Sequence, residues 1–182
     1  MQIIATQLSD VKIVRPEVFG DDRGFFLETW NRAAFSEAGI DTGFVQDNHS
    51  RSARGTLRGL HYQIEQPQGK LVRVASGTVF DVSVDLRRSS PSFGQWVGVE
   101  LSDENHDMLW IPPGFAHGFV VLSESADCLY KCTDYYAPEH ERSILWNDAE
   151  LAIDWPLPEG VAPLLSSKDR AAVAFKEAET FP

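Results

Sequence analysis

Two histidine-containing segments carry the residue types that could transfer a proton. The first, residues 57–63, reads Leu-Arg-Gly-Leu-His-Tyr-Gln and places His61 among polar neighbours, with Lys70 shortly downstream. Histidine has an ordinary pKa near neutrality, which suits a general base that must accept and return a proton. A single histidine is more often a hydrogen-bonded structural residue, so His61 alone identifies no reaction.

The second segment, residues 112–119, reads Pro-Pro-Gly-Phe-Ala-His-Gly-Phe and resembles the second motif of cupins, which places a histidine inside a small barrel. The first cupin motif normally carries His-x-His for a metal, but the matching positions here are His61 and Gln63. Val121 stands where the second motif often has Asn. Two histidines without a suitably spaced carboxylate make a poor ligand set. A metal-dependent cupin is therefore disfavoured, while a weak site at His61 and His117 stays open.

Composition narrows the classes of partner. The chain has 182 residues and a formal net charge of −11, which opposes binding to nucleic acid or to an anionic membrane. An anionic ligand would need locally concentrated Arg and Lys.

Cys128 and Cys132 lie too far apart on one strand to bridge easily, so we expect two buried thiols in a reducing compartment. With no apolar stretch near 18 residues and no signal peptide, we expect a cytoplasmic protein.

The elements that must position these residues are mostly short strands. Gly- and Pro-rich turns separate runs of strand-forming residues, which predicts a mainly β barrel-like double sheet forming one domain over residues 1–182. A short helix capped by Asn31 is expected to run through Ala38, and a terminal helix is expected near 169–178. The predicted strands are 11–14, 24–30, 44–50, 57–64, 71–75, 78–86, 95–101, 108–111, 117–122 and 126–135.

One predicted strand has an ambiguous orientation. Over residues 79–86, one face is apolar, whereas the other is mixed. The apolar face carries Phe80, Val82, Val84 and Leu86, and the mixed face carries Val79, Asp81, Ser83 and Asp85. An acidic side chain facing into a barrel would be unusual, so the pattern does not decide which face points inward.

Taken together, the motifs make the chain resemble the dTDP-4-dehydrorhamnose 3,5-epimerases, a family of the cupin superfamily. The resemblance implies a cupin jelly-roll barrel with short terminal helices. The matching segments follow the family's order over almost the whole chain: residues 22–28, 46–50, 57–63, 69–73, 81–87, 111–119, 130–131, 135–136, 139–141 and 165–169.

This resemblance implies an isomerase of dTDP-rhamnose biosynthesis. Such an enzyme converts dTDP-4-dehydro-6-deoxy-D-glucose to dTDP-4-dehydro-L-rhamnose by moving protons at C3 and C5, with no metal or organic cofactor. The C4 ketone acidifies both positions, because each carbanion delocalises into an enolate. The alternatives are a related enzyme that inverts one carbon, a metal-dependent cupin and a non-catalytic sugar-nucleotide-binding cupin.

The resemblance assigns four catalytic roles. His61 is the base, Asp169 its carboxylate partner, Lys70 the stabiliser of the enolate oxygen and Tyr130 the acid on the opposite face. From the residues alone, Asp169 could instead cap the terminal helix, Lys70 could be a solvated strand-end lysine, and Tyr130 could be an ordinary core tyrosine.

The resemblance also implies the substrate contacts and the assembly. Arg23 and Arg58 suit the diphosphate, because a guanidinium binds phosphate oxygens in pairs. Glu28 could accept from the thymine imide, Tyr136 could stack on the base, and Phe26 could pack nearby. Neighbouring subunits of a homodimer are expected to exchange N-terminal strands. The remaining implied contacts are Gln46, Asp47, Asn48, Lys70, His117, Glu141 and Lys168.

One conflict remains within the first motif. Strict strand alternation places Arg58 and His61 on opposite faces, although both are needed in one site. A bulge or bend at Gly59 would remove the conflict.

Overall fold

The computed structural model describes residues 1–157 and 161–182, and most of its regular secondary structure is strand. Within these ranges the chain forms thirteen strands and two short α-helices. The strands are β1 (Gln2–Ala5), β2 (Lys12–Arg15), β3 (Val18–Asp21), β4 (Gly24–Leu27), β5 (Gln46–Ala53), β6 (Leu57–Gln63), β7 (Lys70–Ser76), β8 (Thr78–Asp85), β9 (Trp96–Ser102), β10 (Met108–Ile111), β11 (Phe115–Val121), β12 (Ser125–Cys132) and β13 (Glu141–Ser143). The helices are α1 (Arg32–Glu37) and α2 (Ser167–Arg170).

Two antiparallel sheets form the body of the protein. The six-stranded sheet has the order β1-β2-β10-β7-β12-β5, and the five-stranded sheet has the order β13-β6-β11-β8-β9. Among the strands of the described ranges, β3 and β4 pair only with each other and make a separate hairpin. This arrangement confirms the predicted mainly β, cupin-like architecture with short helices.

Apolar side chains fill the space between the sheets and also cover the outside of the five-stranded sheet. The inner cluster includes Val72, Leu109 and Phe119. The outer cluster packs Val82 and other residues of the five-stranded sheet against the C-terminal part of the chain, including Trp155. Burial of apolar surface contributes about 25 cal/mol per Å², so both clusters stabilise the fold substantially.

Burial on both faces resolves the ambiguity at β8. Val82 and Val84 lie in the outer cluster, whereas the opposite face of the strand turns inward between the sheets. Asp81 and Asp85 are both completely buried. Asp81 contacts His117, and Asp85 accepts hydrogen bonds from the Arg87 guanidinium. The acidic residues therefore do face inward, because each has a side-chain partner that compensates for its lost hydration.

The first predicted helix is confirmed, but the terminal one is wrong. Asn31 caps α1 by accepting from two backbone amides, and Ala38 ends the helix. The predicted helix over 169–178 is instead the single turn α2 followed by a 3₁₀ turn, Phe175–Glu177. Val173 forms a β-bridge with Ile144, and this tertiary pairing interrupts the helix. No helix in the described ranges has the length and apolar character to cross a membrane.

A bulge in β6 removes the conflict within the first motif. His61 lies opposite His117 on β11, whereas Arg58 lies opposite Phe119, so β6 contains one more residue than β11 between these pairs. The extra residue turns Arg58 and His61 toward the same side of the sheet. Gly59 lies inside this bulge with φ of +130°, a conformation that side chains rarely adopt.

We predict that Gly59→Ala destabilises the protein by about 3 kcal/mol or more, because backbone strain and overpacking add. A methyl group at position 59 would lie 2.5 Å from the Gly118 Cα and 2.8 Å from the His117 carbonyl oxygen. Urea unfolding monitored by circular dichroism measures the change. Gly43→Ala is the matched control, since a methyl group there meets nothing within 4 Å. Equal stability of the two variants would contradict the prediction.

Candidate active site

A cavity of about 380 Å³ opens between the two sheets. The six-stranded sheet contributes side chains from β5, β7 and β12, and the five-stranded sheet contributes side chains from β6, β11 and β13. Most lining residues are polar, in contrast to the apolar cluster deeper between the sheets. The lining residues are Gln46, Asn48, Ser50, Arg58, His61, Tyr62, Gln63, Gln68, Lys70, His117, Phe119, Tyr130, Tyr136 and Glu141.

The buried carboxylate of Asp169 holds the ring of His61. The distance from His61 Nε2 to Asp169 Oδ1 is 2.6 Å, and the aspartate is 2% exposed. The second oxygen, Oδ2, accepts from the Ser166 hydroxyl at 2.6 Å and from the Ser166 backbone amide at 3.2 Å, and the amide bond completes a capping box for α2. One carboxylate therefore takes part in the capping box of α2, whose N-cap is Ser166, and also binds the histidine, as the expected pairing of Asp169 with His61 requires.

Electrostatics keep Asp169 ionised. Burial by itself raises the pKa of this carboxyl, but hydrogen bonds from His61 and Ser166 outweigh burial and hold the pKa well below its ordinary value. An ionised acceptor at Nε2 fixes the proton of a neutral ring on that nitrogen, which leaves Nδ1 as the basic nitrogen. His61 is 27% exposed at the cavity wall, so the ring has access to a bound molecule.

The facing sheet carries a lysine and a tyrosine. Lys70 is 8% exposed, and burial lowers the pKa of its ammonium group. Tyr130 lines the cavity from β12, and burial raises the pKa of its phenol, which keeps it protonated. A protonated phenol and a buried amine are both able to donate a hydrogen bond or a proton to a molecule in the cavity.

Two free thiols flank Tyr130 on the same strand, as the sequence predicts. Cys128 and Cys132 are both buried. Burial raises the pKa of Cys128 to about 12 and also raises that of Cys132. Both thiols are therefore neutral, and neither adds a nucleophile to the site.

A second histidine–carboxylate pair lies beside the first. His117 is the cross-strand neighbour of His61, and its Nε2 lies 2.8 Å from Asp81 Oδ2. Asp81 is fully buried, and His117 is 8% exposed. The sequence analysis identified His117 but missed Asp81 as its partner. The available signal was an acidic residue on a strand that also carries four apolar residues.

Three more of the predicted residues gather at the cavity mouth. The Tyr136 hydroxyl donates to Glu141 Oε2 at 2.8 Å, and the Lys168 ammonium forms an ion pair with the same carboxylate. Burial raises the pKa of Glu141, but the hydrogen bonds from Lys168 and Tyr136 outweigh this effect and lower it. Gln46 accepts from the Tyr136 backbone amide at 2.9 Å, which joins β5 to this group.

The structure places four predicted contacts away from this cavity. Arg23, Phe26 and Glu28 belong to the exposed β3–β4 hairpin and the residue after it, and Arg23 pairs with Asp21. Asp47 faces the opposite side of β5 from Asn48 and pairs with Lys131 at 2.7 Å. The expectation for Asp47 is therefore corrected, because strand alternation turns its side chain away.

Several lining residues were missed from the sequence. Ser50 follows Gln46 and Asn48 at alternate positions on β5, so alternation could have found it. Gln63 lies two residues beyond His61 on β6 and could have been found in the same way. Phe119 lies two residues beyond His117 on β11 and could also have been found by alternation, whereas Gln68 carried no such signal. Among the residues described, no group of three or more His, Cys, Asp or Glu side chains is arranged to hold a metal ion.

Comparison with known proteins gives a consistent result along the whole chain. The model of the dTDP-4-dehydrorhamnose 3,5-epimerase family matches residues 5–177. The dTDP-4-dehydrorhamnose 3,5-epimerase of Pseudomonas aeruginosa is 67% identical over 98% of this chain and 99% of its own length. The Escherichia coli enzyme of the same name is 54% identical over 97% of this chain and 96% of its own length.

Solved structures agree with the sequence relatives. The dTDP-6-deoxy-D-glucose-3,5-epimerase of Legionella pneumophila, solved with dTDP-4-keto-L-rhamnose, superposes with a TM-score of 0.94 at 57% identity and covers 98% of this chain and 94% of its own. A 3'-monoepimerase from Streptomyces bikiniensis, solved with dTDP-quinovose, has a TM-score of 0.87 at 33% identity, covering 93% of this chain and 86% of its own. The chain belongs to the dTDP-4-dehydrorhamnose 3,5-epimerase family.

Proposed function

We propose that this chain, as a single domain over residues 1–182, converts dTDP-4-dehydro-6-deoxy-D-glucose to dTDP-4-dehydro-L-rhamnose by inverting C3 and C5. The observation that carries the proposal is that two residues able to transfer a proton lie on opposite walls of one cavity. His61, held by Asp169, lies on one sheet, and Tyr130 lies on the other. Inversion requires a base and an acid on opposite faces of the same carbon.

The first half of the reaction is proton abstraction. His61 removes the proton from the carbon beside the C4 ketone, and the negative charge moves onto the ketone oxygen as an enolate. Asp169 stabilises the imidazolium that forms. Lys70 donates to the enolate oxygen, where an oxyanion donor contributes about 10² to 10³ in rate. The buried position of Lys70 strengthens this interaction, since little water competes with it.

The second half is return of a proton from the other face. Tyr130 is the acid, because its phenol is protonated and lines the opposite wall. Acid–base catalysis by a positioned side chain contributes about 10² to 10⁴ in rate. Proton transfer at carbon needs neither a redox centre nor a group carrier, so the reaction as proposed uses no metal or organic cofactor.

The nucleotide lies toward the cavity mouth in this proposal. Arg58 is exposed, lines the cavity and donates through Nε to the Ser52 hydroxyl at 3.0 Å, which leaves the outer edge of the guanidinium for the diphosphate. Tyr136 supplies a ring for the base. The other proposed contacts are Gln46, Asn48, His117, Glu141 and Lys168, and Asp47 is left out.

The N-terminal hairpin completes the site of a second subunit in this proposal. Phe19, Phe25 and Phe26 are 57%, 63% and 69% exposed, an unusual density of apolar side chains on one small hairpin. A homodimer that exchanges these hairpins would bury them and would bring Arg23, Phe26 and Glu28 to the partner's cavity. Exchange of identical elements is a common route to dimers.

A one-carbon epimerase is the second candidate, because the 33%-identical structural relative is a 3'-monoepimerase.

The cellular location is proposed to be the cytoplasm, where a reducing environment suits the free thiols of Cys128 and Cys132. No role with nucleic acid or membranes is proposed, since the net charge of −11 opposes both.

In heavy water, we predict deuterium incorporation at both C3 and C5 of dTDP-4-dehydro-6-deoxy-D-glucose. His61→Asn should lower both exchange rates by about 10² to 10⁴, because the base is lost. Nuclear magnetic resonance of the recovered sugar measures each position. His49→Asn is the control, since His49 pairs with Asp127 away from the cavity. Exchange at C3 alone would favour the one-carbon enzyme, and undiminished exchange in His61→Asn would remove His61 as the base.

Hairpin exchange predicts complementation between two inactive variants. In a mixed dimer of Arg23→Ala and His61→Asn subunits, the cavity with intact His61 would receive the intact Arg23 of the other subunit. Co-expression with two affinity tags isolates this dimer, and we expect about half of wild-type activity, since one of two sites is complete. If the hairpin served its own subunit, both sites would be defective and the mixed dimer would be inactive.

The Asp169–His61 contact predicts a pH-dependent stability difference between wild type and Asp169→Asn. The pKa of Asp169 is lower in the folded state, so its contribution is complete above the unfolded-state value near pH 4 and is lost as pH falls toward the folded value. Below pH 4 the difference should shrink by about 1.4 kcal/mol per pH unit. Urea unfolding between pH 7 and 3 measures it. A difference that stays constant over this range would contradict an ionised, hydrogen-bonded Asp169.

A further inference from the structure

A buried amide side chain fixes the backbone on both sides of Tyr136. Gln63 is 4% exposed and lies on β6, two residues beyond His61. Its Nε2 donates to the Tyr135 carbonyl at 3.2 Å, and its Oε1 accepts from the Ala137 amide at 3.0 Å. The two backbone groups that bracket Tyr136 are thus bound to one side chain.

Further hydrogen bonds make this arrangement rigid. Nε2 of Gln63 also donates to the Gln66 carbonyl at 2.8 Å, which holds the amide plane in place. Gln46 Oε1 accepts from the Tyr136 amide at 2.9 Å. Residues 135–137 are therefore fixed at three consecutive backbone positions by two glutamines from different sheets.

The Tyr136 ring itself lies outside the packed core. It is 54% exposed, and its hydroxyl donates to Glu141 at the cavity mouth. An exposed ring with few packing contacts would normally sample several positions, and binding would have to order it. Fixing the backbone beneath the ring reduces that cost before a ligand arrives.

We infer that Gln63 is a positioning residue that holds Tyr136 as a ready platform for the nucleotide base of the substrate, an inference that rests on the proposed function. Gln63 acts through Tyr136 and not through the reacting carbons. Its loss is expected to weaken binding of the nucleotide part, to raise KM and to leave kcat little changed, because His61, Lys70 and Tyr130 keep their places.

A double-mutant cycle tests the inference, with dTDP as the ligand and calorimetry as the measurement. Gln63→Met keeps the side-chain volume but removes all three hydrogen bonds. We expect it to weaken dTDP binding about ten-fold, within the range for loss of one base-stacking contact. In a Tyr136→Ala background the same change should add less than about two-fold, because the residue through which it acts is gone. Gln95→Met, on the exposed surface, is the matched control.

Equal loss of affinity in both backgrounds would overturn the inference, since Gln63 would then act independently of Tyr136. Amide hydrogen exchange at Ala137, measured without ligand, gives a second test: Gln63→Met should speed it, and an unchanged rate would also overturn the inference. If Gln63→Met does not fold, Gln63→Glu retains the acceptor and removes only the two donated bonds. Failure of the proposed function is seen separately, as absence of deuterium exchange in the wild type.

Discussion

The hydrogen bond between Asp169 and His61 connects the chemistry of the site to the folding of the whole C-terminal segment. Oδ1 of Asp169 binds the imidazole and also lies 3.2 Å from the Gly59 amide, while Oδ2 binds the backbone and hydroxyl of Ser166. A buried carboxylate is tolerated only when such bonds compensate for lost hydration. The His61 ring, the proposed base, is therefore held in this orientation only when the chain around Asp169 is docked against β6. Trp155 and Phe175, packed on the outside of the same sheet, hold that segment in place.

The two-sheet architecture separates the groups proposed to react and keeps the distance between them constant. One sheet carries His61 and the other carries Lys70 and Tyr130, and the apolar cluster between the sheets fixes their spacing. Close-packed interiors resist deformation, so groups on facing strands are held more precisely than groups on loops. Inversion at carbon needs this property, since base and acid must address opposite faces of one atom.

Features that depend on the local residue pattern could be predicted from the sequence. Features that depend on contacts between distant parts of the chain could not. Alternating residues and turn signals located most strands, and Asn31 located α1. The sequence did not show which face of β8 points inward, because the C-terminal segment covers the outer face, which would otherwise meet solvent. The prediction of a terminal helix was wrong because Val173 pairs with Ile144, and no local sequence signal indicates this contact. Asp81 was missed for a related reason, since its role depends on the cross-strand position of His117.

The use of the two histidines explains how a barrel of metal-binding type can serve proton transfer. In this chain each imidazole has its own buried carboxylate, Asp169 for His61 and Asp81 for His117. A base needs a nitrogen lone pair that is free to accept a proton, and a metal ion would occupy that lone pair. At the position of the second histidine of the first cupin motif, Gln63 binds the backbone around Tyr136. The residue at this position thus supports the loop beside the cavity. In the proposed function, the buried carboxylates and Gln63 together suit the cavity to binding a ligand and moving its protons.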